Sequence, residues 1–121
     1  MKRMFLIAAL AAAPAVADAQ PVAVTLTEFK IAMTKDTVSA GPVTFRIKNA
    51  GATTHAIFIM NDTFEKGSAE VAAGQEASLT VTLKAGTYEV YCPMSDETHK
   101  KAGMTHKLVV TAAKPAPPKK P

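Results

Sequence analysis

Tryptophan is absent from the 121-residue chain, tyrosine occurs twice and cysteine once. A single cysteine cannot close an internal disulfide, so no cross-linked framework holds this chain together. No apolar run reaches the ~20 residues that a membrane-crossing helix needs. The longest, from Met4 to Ala13, is about ten residues and has no second of its kind. The few aromatic residues do not interleave with the basic ones and no recognition motif is present, which sets nucleic-acid binding aside. No internal repeat is visible either.

What the chain does have begins with Lys2 and Arg3, followed by the apolar run and then by Ala17-Asp18-Ala19, a small-x-small site before Gln20. This is the layout of a secretory signal peptide over residues 1–19. A lipid anchor would need a cysteine at the cleavage site, and Cys92 lies far from it. The mature protein is therefore expected in the periplasm, or secreted, without a membrane anchor. About 100 residues then remain, enough for one hydrophobic core and one domain. The formal net charge is +4, and cleavage would remove two cations and one anion to leave +3. Part of that charge lies in the closing "AAKPAPPKKP", where no apolar side chain larger than alanine could repay the entropy of ordering. Residues 112–121 are expected to be a flexible Pro/Lys-rich tail and residues 20–111 the domain.

Within the domain, period two dominates. Phe45 and Ile47 alternate with polar residues in "TFRIKN", Leu79, Val81 and Leu83 share one face of "SLTVTL", and Tyr88, Val90 and Cys92 share one face of "TYEVYC". Further strands are expected at Val22 to Phe29, near Thr37 to Ser39, at His55 to Met60 and at Lys107 to Thr111. The punctuators Ala40-Gly41-Pro42, Asn49-Ala50-Gly51, Gly74 and Lys84-Ala85-Gly86 are turn chemistry. About seven to eight short strands without a convincing amphipathic helix imply an all-β, Greek-key β-sandwich. The stretch "TFEKGSAEVAAG" could hold one helical turn.

The chemistry concentrates in "YCPMSDETHKKAGMTH", Tyr91 to His106, which holds the lone cysteine, two of three histidines and two of six methionines. Cys92 ends a strand and the next begins near Lys107, so the stretch is expected to be a loop at one pole of the sandwich, where sites are built. A free thiol in an oxidising compartment must be shielded or used. A buried structural cysteine acting as a small hydrophobe is the plain alternative. The neighbours argue for use: a thiolate, imidazoles and a thioether are soft ligands, and a trigonal His₂Cys set with a weak axial Met suits a blue-copper site. Cys92, His99 and Met104 lie on this loop, and the only histidine outside it is His55.

These segments resemble the cupredoxins, the small blue-copper proteins of the plastocyanin-like type. The resemblance runs from about Val22 to Thr111 and rests on "NAGATTHAIFI", "AAGQEASLTVTLKAGTYEVYC" and "CPMSDETHKKAGMTHKLVV". It implies one type 1 copper ion held by His55, Cys92 and His99 as equatorial ligands and by Met104 as the axial one. It also implies one-electron exchange with redox partner proteins, no enzymatic chemistry, and an electron exit through the edge of His99. A monomer is expected. Two departures stand out. Six residues separate Cys92 from His99, longer than is familiar in the group, although the four between His99 and Met104 are common there. Ala56 follows the first histidine where many members place an asparagine, and Thr53 or Thr54 is then the candidate substitute.

Each residue also has a plainer role. Met94 is a weaker competitor for the axial position, and His106, a rival to His99, is expected to be solvent-exposed or to lie behind the ligands. Lys100, Lys101 and Lys107 could be a solvated face. Their functional alternative is a cationic rim around His99, opposed only by Asp96 and Glu97, which would steer a partner with an acidic docking face. Against the electron carrier stand a copper carrier or chaperone and a metal-free interaction module. The Met-rich and His-rich tracts that suit a copper carrier are absent.

Overall fold

A computed structural model of the chain describes residues 19–95 and 98–113. The expected leader apart from Ala19, the tail beyond residue 113, and Asp96 and Glu97 lie outside the described residues.

Alternation of apolar and polar residues builds the first strand. In β1 (Gln20–Thr27), Val22, Val24 and Leu26 are buried while Pro21, Ala23 and Thr25 face out. The chain then turns through Glu28 and Phe29 into β2 (Lys30–Met33), with Thr27 opposite Lys30. A single strand from Val22 to Phe29 is thus replaced by a two-residue hairpin. After β3 (Thr37–Ser39), β4 (Gly41–Asn49) runs parallel to β1 and places Val43, Phe45, Ile47 and Asn49 inward.

The segment expected as one strand from His55 to Met60 divides. His55 makes an isolated bridge to Val71, and Ile57 donates its N–H to the Ser68 hydroxyl at 3.0 Å instead of to a strand neighbour. Regular pairing starts only in β5 (Phe58–Asn61), which forms a hairpin with β6 (Phe64–Gly67). The stretch read as a possible helical turn is therefore strand and bridge. Next come β7 (Glu76–Leu83), β8 (Gly86–Tyr91), the short helix α1 (Thr98–Lys101) and β9 (Thr105–Thr111).

Two sheets result, in the orders β2-β1-β4-β7 and β3-β9-β8-β5-β6. The nine strands among the described residues exceed the expected seven to eight because β2 and β6 are only four residues each, too short for a period-two pattern to show, and β6, Phe-Glu-Lys-Gly, carries little apolar signal. The two inner faces meet in one core, whose largest fully buried side chains include Phe45, Leu26, Ile47, Ile57, Ile59 and Leu108. At an edge, β7 buries only Val81 and Leu83 fully, with Ala77 and Leu79 half-covered. Among the described residues no helix is long and apolar enough to cross a membrane.

Candidate metal centre

The strand alternation that buries Tyr88 and Val90 also buries Cys92, just past the end of β8. The chain leaves through Met94 and Ser95, the latter at φ 56, and returns through α1. Gly103, at φ 118, closes this excursion past the helix end by donating to the Lys100 carbonyl at 3.0 Å. The Met104 N–H then donates to the His99 carbonyl, and the Met104 carbonyl accepts from the Cys92 N–H, both at 3.1 Å. His99 is thus carried by a helical turn that lies between Cys92 and Met104.

His55 comes to the same place from the opposite side. Its backbone is tied to Val71 by two hydrogen bonds of 3.0 and 2.7 Å, and its ring is fully buried. Asn49, also buried, shapes the approach: its amide donates to the carbonyls of Thr53 and Val71, and its Oδ1 accepts from the Gly51 N–H.

One ligand-type atom each from His55, Cys92 and His99 lies within 4.8 Å of the others. His55 Nδ1 and His99 Nδ1 are 3.2 Å apart, and Cys92 Sγ stands 3.8 Å from the first and 3.6 Å from the second. An ion at the centre of such a triangle, with metal–nitrogen bonds of about 2.0 Å and a metal–sulfur bond of about 2.3 Å, requires N···N near ~3.5 Å and N···S near ~3.7 Å. The spacing fits one ion. Met104 is fully buried and is bonded through its backbone to both Cys92 and His99, and a thioether with a thiolate favours a soft ion such as Cu(I). Burial holds the His55 imidazole below its ordinary pKa, and the neighbouring His99 adds to this. The ring is kept neutral, the form that ligates.

The other nitrogen of His55 has partners that the sequence did not reveal. Nε2 lies 3.4 Å from the Thr53 hydroxyl, one of the two threonines considered for this role, and 3.5 Å from Glu28 Oε1. Glu28 also accepts from the N–H groups of Ala52 and Thr53, which hold its carboxyl down at about 2. Neither Glu28 nor Phe29 could be found by motif, since both read as the end of a strand. Ala56 is buried. His106 is held away from the cluster, its ring nitrogens facing Asp36 and the Ile31 carbonyl, so it ties β9 to the β2–β3 side. Met94 is half-buried against the core.

Of the expected cationic rim, Lys100 is drawn back. Its ammonium lies 4.4 Å from the centre of the Tyr91 ring and 3.4 Å from Glu89. Lys101 and Lys107 remain exposed.

A protein-family model described as the Cupredoxin-like domain matches residues 2–110. No curated protein sequence matches the chain. Among solved structures, reduced auracyanin from Roseiflexus castenholzii is similar at 17% identity and a TM-score of 0.63, covering 77% of this chain and 98% of its own. Auracyanin A, described as a "blue" copper protein from Chloroflexus aurantiacus, is similar at 24% identity and a TM-score of 0.59, covering 75% and 99%. An oxidised amicyanin variant shows 20% identity and a TM-score of 0.54, covering 74% and 80%. At these identities the likeness is one of fold.

Proposed function

Because the chain belongs to the cupredoxin-like domain family, we propose that it is an exported, periplasmic or secreted carrier of single electrons, with one copper ion held by His55, Cys92, His99 and Met104. The observation that carries this reading is the convergence of two imidazole nitrogens and one thiol sulfur at the spacing of a single trigonal ion. The similarity to auracyanin A, a "blue" copper protein, supports it. When bound, copper would supply reversible exchange of one electron between its two oxidation states.

The chain's own residues account for the rest. His55 and Cys92 are fully buried, so water does not compete at these donors. The backbone bonds among Cys92, His99 and Met104 join three of the four donors into one unit, and the His55–Val71 bridge fixes the fourth to the opposite loop. Donors held in this way move little when charge changes, which favours electron exchange over metal release. His99 alone of the three close donors is part-exposed, and its ring offers the shortest way to a partner at the surface. No substrate chemistry is assigned.

Loading with Cu(II) tests the reading. The wild-type protein is expected to show an intense visible sulfur-to-copper charge-transfer band, and Cys92→Ser to abolish it. A colourless wild-type adduct defeats the assignment.

A further inference from the structure

We infer that the Glu28–Phe29 turn is a two-sided clamp that positions both imidazoles of the site, His55 through the Glu28 carboxylate and His99 through the Phe29 ring. The clamp rests on the copper reading above for its purpose, and on the geometry of the turn for its existence.

Glu28 is exposed, yet a single oxygen, Oε1, meets four groups: Ala52 N–H at 2.6 Å, Thr53 N–H at 3.0 Å, the Thr53 hydroxyl at 3.3 Å and His55 Nε2 at 3.5 Å. The loop leading to His55 is built around this carboxylate. A Cβ on Gly51 would lie 2.5 Å from the same oxygen, so a side chain there would push the carboxylate out of this position. Because His55 Nδ1 faces Cys92 and His99, Nε2 is the nitrogen left to carry hydrogen in a neutral ligating ring. A carboxylate at that nitrogen fixes ring orientation and raises ligand basicity.

Phe29 makes the other half. It has φ 63, a left-handed conformation that is an outlier for a bulky residue, and it is 47% exposed. Neither burial nor turn chemistry accounts for an aromatic side chain here, and backbone strain of this kind points to a local role. Its ring stands edge-on to His99, with centroids 5.5 Å apart and planes at 80°. Its carbonyl lies 3.3 Å from where a Cβ on Gly103 would be, so the turn also seats against the stretch that joins His99 to Met104. The hairpin register, Thr27 opposite Lys30, leaves these two residues alone in the turn and pins both contacts together.

The test uses Glu28→Gln and Phe29→Gly in the full-length protein, with and without Cu(II). Glutamine still offers an oxygen to the Ala52 and Thr53 N–H groups but loses the charge facing His55. Glu28→Gln trades charge-assisted hydrogen bonds for neutral ones, so the thermal midpoint of the apoprotein should fall, and the protein that remains folded should bind Cu(II) about 10- to 100-fold more weakly and at a higher reduction potential. Phe29→Gly relieves the left-handed backbone, so its midpoint should stay or rise while copper affinity falls. A merely structural role predicts unchanged copper affinity of the folded protein in both variants, whatever their midpoints. Imidazole nitrogen NMR of the metal-free proteins gives a readout without copper: the His55 signals should shift in Glu28→Gln and those of His99 in Phe29→Gly. Apoprotein ring signals and copper affinities that match wild type in both variants overturn the clamp. A wild-type protein without a visible Cu(II) band instead overturns the copper reading, while the apoprotein spectra still decide the clamp.

Discussion

At the scale of the residue, three histidines in one small chain have three different environments. His55 is buried and neutral, His99 is half-buried at the pole, and His106 bonds to Asp36 and a backbone carbonyl on another part of the surface. His55→Ala and His99→Ala are each expected to remove the visible copper band, whereas His106→Ala should leave it and lower only stability. Loss of colour in His106→Ala alone would contradict the proposed ligand set. A pH dependence follows from burial. An unfolded chain takes up a proton at its histidine near 6.5, but folded His55 resists protonation because burial penalises the charge. The unfolded state then binds more protons, so the metal-free protein should lose stability as pH falls below about 6.5. Urea unfolding at a series of pH values checks this, and His55→Gln should flatten the slope; an identical slope in both proteins rules out His55 as its source.

At the scale of the element, the pole is only as firm as the two sheets beneath it and the loops tied across them. Asn49, at the end of β4, joins loop 51–53 to Val71 through three side-chain hydrogen bonds. Asn49→Ala would remove the amide donor from the carbonyls of Thr53 and Val71, the second of which keeps the His55 N–H, at a cost of about 0.5–1.5 kcal/mol per bond lost. Because His55 lies on the tethered segment, the same variant should also weaken Cu(II) binding. Phe45→Ala, deep in β4, gives the contrast. It should cost about 3–5 kcal/mol in urea unfolding while the folded fraction still binds copper with near wild-type affinity. If Asn49→Ala lowers stability without touching affinity, the loop is support for the core and not for the site.

At the scale of the whole molecule, the distribution of charge around the pole sets how partners meet it. Lys100 is paired with Glu89 and laid over Tyr91, so among the described residues Lys101 is the cation on α1 that is exposed and has no ion pair. Exchange with a small redox protein of net negative charge should slow as salt rises, since exposed charges are screened within ~8 Å at physiological ionic strength. Lys101→Glu should slow it further with an unchanged copper spectrum, whereas Lys100→Ala should alter the Tyr91 signal in near-ultraviolet dichroism more than the rate. Stopped-flow mixing measures the first effect. Rapid loss of copper to a chelating acceptor, without electron exchange, would favour a copper carrier instead.

Much of this protein was legible in its residues taken in order. Period-two alternation in β1, β4, β7 and β8 marks inner and outer faces because side chains on a strand must alternate, and it already places Cys92 inward with Tyr88 and Val90. The types and spacing of Cys92, His99 and Met104 carry their own chemistry, as does the scarcity of histidine that leaves His55 as the partner from outside the loop. Tertiary structure decided what depends on distance between remote segments. The Glu28–Phe29 hairpin hides in a run that reads as one strand, since nothing local marks a left-handed phenylalanine. Its meaning lies in contacts with residues 52–55 and 99, which only sheet pairing brings near. Lys100 and His106 likewise have sequence neighbours that suggest one role and spatial neighbours that assign another. A side chain's electrostatic partners are set by the folded surface, and in a sandwich whose strands pair out of order that surface joins residues far apart in the chain.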